Sequence, residues 1–143
     1  MAKTEWAPRL RAAGLKVTQP RLQLLGVLAS NHKPRAVKDV AEALRGSGID
    51  TATVYRSLEA LEHAGIVRRV EFKLGHAFYE LAEAHAEHHH HVVCRRCGNV
   101  TDVDACIGDA LKREVLTQAP DFAEISDHAL EFFGVCKKCA MKR

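Results

Sequence analysis

An α+β fold in two parts is predicted by three features of the sequence. Apolar residues recur at helical spacing through the first sixty positions, and two short runs rich in β-formers then bracket a Lys-Leu-Gly-His turn. Beyond them, strand-like runs and one amphipathic helix surround two Cys-x-x-Cys pairs. The expected organisation is a helical domain closed by a hairpin over residues 1–82, a polar hinge over 83–87 and a small α/β domain over 88–143. At 143 residues, 47% apolar and 27% charged, the chain can bury a core in one or two small domains.

Residues 20–30 place Leu22, Leu24, Leu25 and Leu28 at helical spacing, and residues 37–44 do the same with Val37, Val40, Ala41 and Leu44. Asp50 can cap a third helix over 51–65, whose inward stripe is Val54, Leu58 and Leu61 and which Gly65 ends. Residues 66–72 and 77–81 then read as a hairpin. In the second part, 88–94 and 99–104 read as strands, 106–117 as a helix and 129–135 as a further strand. No internal repeat is present.

Helices followed by a small hairpin suggest a winged helix-turn-helix, with the third helix as the element that enters a DNA major groove. Thr51, Thr53, Tyr55, Arg56 and Glu59 fall off its apolar stripe. Arg56 can contact guanine or phosphate in bidentate fashion, and Tyr55 can pack on thymine methyls or donate to phosphate. Charge placement agrees weakly. Residues 1–81 hold 13 Lys/Arg against 8 Asp/Glu, and residues 82–143 hold 8 against 10, within a net charge of +3. Many domains of that charge bind nothing acidic, so the pattern alone also fits a plain amphipathic surface helix.

No run of eighteen apolar residues is available to span a membrane, and the first fifteen residues lack an apolar signal core. A cytoplasmic protein is the expectation. In that setting Cys94-x-x-Cys97 and Cys136-x-x-Cys139 read as four thiolate ligands of a structural zinc ion. Five cysteines do not pair off as disulfides, and a redox turn would need a βαβ setting that is missing. Gly98 allows a tight turn after the first pair, and Arg95, Arg96, Lys137 and Lys138 offset the thiolate charge. Cys106 has no partner at metal spacing and reads as a spare, half-buried thiol.

The run His88-His89-His90-His91 precedes the first pair. Side chains alternate along a strand, so His89 and His91 face one way, His88 and His90 the other, and the run can feed two metal sites. Further ligands are available from Glu80, Glu83, His85, Asp102, Asp109, His32 and His128, whereas His63 and His76 read as surface residues. Nitrogen and carboxylate donors suit Fe(II), Mn(II) or Zn(II). A zinc hydrolase using the histidines is disfavoured by the absence of His-Glu-x-x-His and of an evident substrate pocket. A simple metal buffer remains a competing reading of four adjacent histidines.

Taken in order, GLKVTQPR (14–21), TATVYRSLEALEHAGIV (51–67), HHHHVVCRRCG (88–98), DHALEFFGVC (127–136) and the closing Cys136-x-x-Cys139 resemble the ferric uptake regulator family of bacterial metal-dependent repressors. The resemblance implies a dimer of two-domain subunits, a winged helix followed by a dimerisation domain, that binds palindromic operator DNA. It places Tyr55 and Arg56 on the base-contacting pair, beside Thr53, and Lys16 on a minor-groove lysine. It assigns Cys94, Cys97, Cys136 and Cys139 to structural zinc. A regulatory Fe(II) or Mn(II) site at the hinge would take His32, His89, His91 and a carboxylate from Glu80 or Glu83, with Asp102 beside it. A second site in the dimerisation domain would take His88, His90, Asp109 and His128. Zinc-sensing members usually carry a cysteine just upstream of the histidines, where Ala82, Ala84 and Ala86 stand here. Peroxide-sensing members carry Asp at the position of Asp102, where iron sensors often carry Glu. An iron- or manganese-dependent repressor is thus expected, with peroxide sensing through oxidation of a ligand histidine, or zinc sensing, as alternatives.

Overall fold

Trp6 and Leu10 lie one helical turn apart and are both fully buried, and this pair anchors a helix that sequence pattern did not foresee. The computed structural model describes residues 3–30, 33–82 and 89–142, with side chains from residue 5 onward. In it α1 spans Lys3–Ala12. Ala7, Pro8 and Arg9 stand between them, so periodicity is faint, and the helix is held by two large apolar side chains packing on the core.

The chain separates into two compact units, Met1–Ala86 and Glu87–Arg143. In the first, α1 is followed by α2 (Gln19–Ala29), β1 (Arg35–Ala36), α3 (Val37–Ala43), α4 (Thr51–His63), β2 (Val67–Glu71) and β3 (Ala77–Leu81). Thr18 caps α2 by accepting from the Arg21 amide at 3.4 Å, and Pro20 sits in the first turn, where its missing N–H costs nothing. Asp50 caps α4 as expected, its carboxylate accepting from the Thr53 amide at 2.7 Å. Hydrogen bonding from the Thr53 side chain and then its amide holds the Asp50 carboxyl below the usual carboxylate range. Gly65 at φ +73° ends the element in the left-handed region.

The antiparallel β2–β3 hairpin runs in the register Val67↔Leu81 to Glu71↔Ala77, and β1 adds on the far side of β3. Leu24, Leu25, Leu28, Val40, Val54, Leu58 and Leu61 meet Trp6 and Leu10 in one core. The result is a winged helix: a three-helix core, α4 with one face outward, and a β-hairpin wing. Leu58 is fully buried within that core. Leu58→Ala is expected to cost about 2–5 kcal/mol of stability. An unchanged denaturation midpoint would contradict this packing.

The second unit is built on β4 (His90–Cys94), with β5 (Val100–Val103) antiparallel on one side and β6 (Glu131–Gly134) parallel on the other. Helix α5 (Asp109–Gln118) and the short α6 (Lys137–Met141) complete it. Here the structure trims the expected elements. The strand begins at His90, the helix begins at Asp109 after Gly108, and Cys106 lies in the preceding coil. Among the described residues only Val93, Cys94 and Val100 are buried apolar side chains in this unit. The expected hinge, 83–87, lies outside the described residues. No helix among the described residues is long and apolar enough to cross a membrane.

Candidate metal centres and nucleic-acid face

The first Cys pair sits where β4 ends and turns into β5. Gly98, at φ +73°, returns its amide to the Cys94 carbonyl at 2.9 Å, and the Cys94 amide donates to the Asn99 carbonyl at 2.9 Å. The second pair lies beyond the exit of β6: Cys136 is the N-cap of α6 and Cys139 follows within its first turn. Pairing β4 in parallel with β6 aligns the two ends and converges the sulfurs, all within 4.8 Å of one another. The Sγ atoms of Cys97 and Cys136 are 3.7 Å apart. A tetrahedron with Zn–S bonds of about 2.3 Å has edges of about 3.8 Å, so this donor set fits zinc.

Electrostatics differ across the four sulfurs. The Cys136 amide donates to Cys94 Sγ at 3.3 Å, and with help from the Cys97 and Arg96 amides it lowers the Cys94 thiol to about 6. Cys139 is pushed up to about 12 because it shares its proton with Cys136 and Cys97. Two of the basic neighbours have other roles than charge balance. Arg96 donates to the Cys139 carbonyl at 2.9 Å, tying α6 to the first turn, and Arg95 lies 5.0 Å over the Phe133 ring.

The histidines divide by strand face. His89 and His91 bring their Nε2 atoms to 3.1 Å, with rings edge to face. Asp102 is the register partner of His91 on β5, and its carboxylate stands 3.5 Å from His91 Nε2. Two imidazoles and a carboxylate therefore share one patch. On the other face His90 Nε2 lies 3.2 Å from His128 Nε2. Here the structure corrects the sequence reading of Cys106. The thiol is exposed, not half-buried, and it is no spare, since its Sγ is 3.3 Å from His128 Nε2 and groups with His90 and His128. Asp109, exposed as the first residue of α5, is not in that group. Chain pattern could not reveal this, because Cys106 and His128 are joined by folding and not by spacing.

Glu80 is buried on β3 and ion-pairs with Arg68, its register partner on β2. His32, Glu83, His85 and His88 lie outside the described residues. On α4, Tyr55 is 53% exposed, and Arg56 is exposed with its guanidinium donating to Thr53 Oγ1 at 3.2 Å. Lys16 is exposed before α2, and its carbonyl accepts from Arg21 at 2.7 Å.

The ferric uptake regulator family model matches residues 12–133, most of the chain. The chain belongs to the ferric uptake regulator family. A ferric uptake regulation protein of Legionella pneumophila is 40% identical over 140 residues, covering 94% of this chain and 98% of that one. The solved ferric uptake regulator of Vibrio cholerae matches with a TM-score of 0.75 at 34% identity, covering 91% of this chain and 98% of that one. The ferric uptake regulator of Francisella tularensis, solved with iron, matches at 0.72 and 33%, covering 89% and 96%. Members of this family are metal-dependent transcription regulators and not enzymes. The hydrolase alternative is thereby closed, and the winged helix has its family context.

Proposed function

We propose that this protein is a cytoplasmic, metal-dependent transcriptional repressor that binds palindromic operator DNA as a homodimer. The observation that carries the reading is the convergence of His89, His91 and Asp102 in a chain that also holds a winged helix. Imidazole and carboxylate donors suit Fe(II) or Mn(II), which we assign to this regulatory site. On the family resemblance alone, His32 and Glu80 or Glu83 add ligands from the first unit. When bound, the ion supplies a crosslink of fixed geometry; the residues do the rest by holding their lone pairs in place. The four cysteines are assigned to structural Zn(II), and a site on the opposite strand face is assigned to His90 and His128, with His88 and Asp109 as the resemblance implies.

Lys16, Thr53, Tyr55 and Arg56 form the proposed DNA contacts, with α4 in the major groove. Arg56→Ala should weaken operator binding by about fivefold to 150-fold, the range of one bidentate base contact. Equal affinity of the variant and the parent protein would remove Arg56 from the interface. Homodimerisation is supported by apolar surface in the second unit. Helix α5 has no buried residue and presents Leu111 and Val115, while Val92 and its register partner Phe132 are exposed on the sheet. A second copy of the chain is the occupant that suits such a surface in this family.

The test is fluorescence anisotropy of a palindromic duplex titrated with Fe(II), Mn(II) and Zn(II) in turn. Binding should rise with the regulatory metal and fall steeply with salt. Operator affinity indifferent to metal and to His89→Ala would overturn the reading. Asp102 beside His91 favours a second reading, release from DNA by peroxide through oxidation of a ligand histidine. Peptide mass spectrometry of the Fe(II)-loaded protein after peroxide should then find one added oxygen atom on His32 or His89. An unmodified pair would exclude peroxide sensing by that route.

A further inference from the structure

The donor set on the second face of the histidine strand departs from what family resemblance implies. An oxygen donor, Asp109, is expected there, and the fold instead delivers the Cys106 sulfur. We propose that His90, Cys106 and His128 form a metal site of two nitrogens and one sulfur that takes Zn(II) in preference to Fe(II) or Mn(II).

Three observations support it. The ligand atoms stand 3.2 Å (His90 to His128) and 3.3 Å (His128 to Cys106) apart. A tetrahedron with Zn–N near 2.0–2.1 Å and Zn–S near 2.3 Å has edges of about 3.3–3.6 Å, so binding needs only small adjustments. The donors are also oriented. His90 is buried, and its Nδ1 lies 3.1 Å from the Leu130 carbonyl, a bond that places the proton on Nδ1 and leaves the Nε2 lone pair toward His128. The third observation is chemical. Thiolate is a softer donor than carboxylate, and one thiolate with two imidazoles favours Zn(II) over Mn(II) and Fe(II). Cys106 lies in coil ahead of α5, so its backbone can adjust without unpairing a strand.

This inference does not depend on the repressor reading, and its test does not use DNA. Full-length protein with its four-cysteine site already holding Zn(II) is titrated with Co(II), which ranks below Zn(II) in affinity and will not readily displace it. The wild type should develop a sulfur-to-cobalt charge-transfer band that saturates at one equivalent and is bleached by added Zn(II). Cys106→Ser should lose the band while keeping the first zinc, and its affinity for a second Zn(II) should fall by more than about tenfold. Cys106→Asp should bind Co(II) without the band and shift preference toward Mn(II). A wild type without the band, or a Cys106→Ser protein that keeps it, overturns the proposal. If the serine variant does not fold, X-ray absorption on wild type carrying two Zn(II) decides. A mean of two and a half sulfurs per zinc supports the site, and a mean of two overturns it.

Discussion

Cys139→Ser is expected to strip the zinc we assign to the four cysteines and unfold the second unit while the winged helix stays folded. That unit has little else to hold it. Among the described residues its buried apolar side chains are Val93, Cys94 and Val100, whereas the first unit joins fifteen buried residues in one cluster. A four-thiolate zinc site contributes on the order of 10–16 kcal/mol near neutral pH, far more than three such side chains at about 1.5–3 kcal/mol each. The site also carries topology, since Cys94 and Cys97 close β4 while Cys136 and Cys139 close β6. Metal analysis should find the structural zinc missing. Amide exchange should lose protection in β4–β6 and keep it in α2 and α4. Protected β4–β6 amides without that zinc would show that the sheet does not need the metal.

The same site sets a pH dependence. Cys94 has its thiol lowered to about 6, so the stabilisation carried by its thiolate is present above the unfolded thiol value. It is lost as pH falls through about 6. Cys139, held up to about 12, keeps its proton in the metal-free cluster at neutral pH, so zinc loading there must release it. Calorimetry of zinc uptake in buffers of different ionisation enthalpy reads that release directly. Heats independent of buffer would contradict it.

His91→Ala is expected to abolish the metal response while leaving the four-cysteine zinc in place. His91 is buried on β4, contributes one of two imidazole nitrogens and stands beside Asp102. Loss of a mere outer-shell partner lowers metal affinity about 10–100-fold, so deletion of a ligand should exceed that. Mn(II) calorimetry and operator anisotropy should fall together. If the variant keeps the parent's Mn(II) affinity, His91 is not a ligand. Asp102→Glu addresses the sensed signal: under the peroxide reading it should blunt histidine oxidation while leaving metal-dependent binding measurable.

Legibility varied with the range of the interactions. The Val54-Leu58-Leu61 stripe, the Asp50 cap and the hairpin follow from spacing and turn chemistry within a few residues, and they stand as expected. The α1 helix was not legible, because two buried side chains among charges make almost no periodic signal. The split of the histidines followed from strand alternation: His89 and His91 meet on one face and His90 turns to the other, while His88 lies outside the described residues.

By itself the sequence determined the winged helix, the two Cys-x-x-Cys turns and the alternation that parts the histidines, since each is encoded by local spacing that the backbone period converts into geometry. Only the tertiary structure decided what meets those histidines. Pairing β4 with β5 brings Asp102 to His91, and the chain leading into β6 returns His128 to His90 and Cys106. Such meetings depend on register and loop path across tens of residues, a distance over which spacing carries no geometric information.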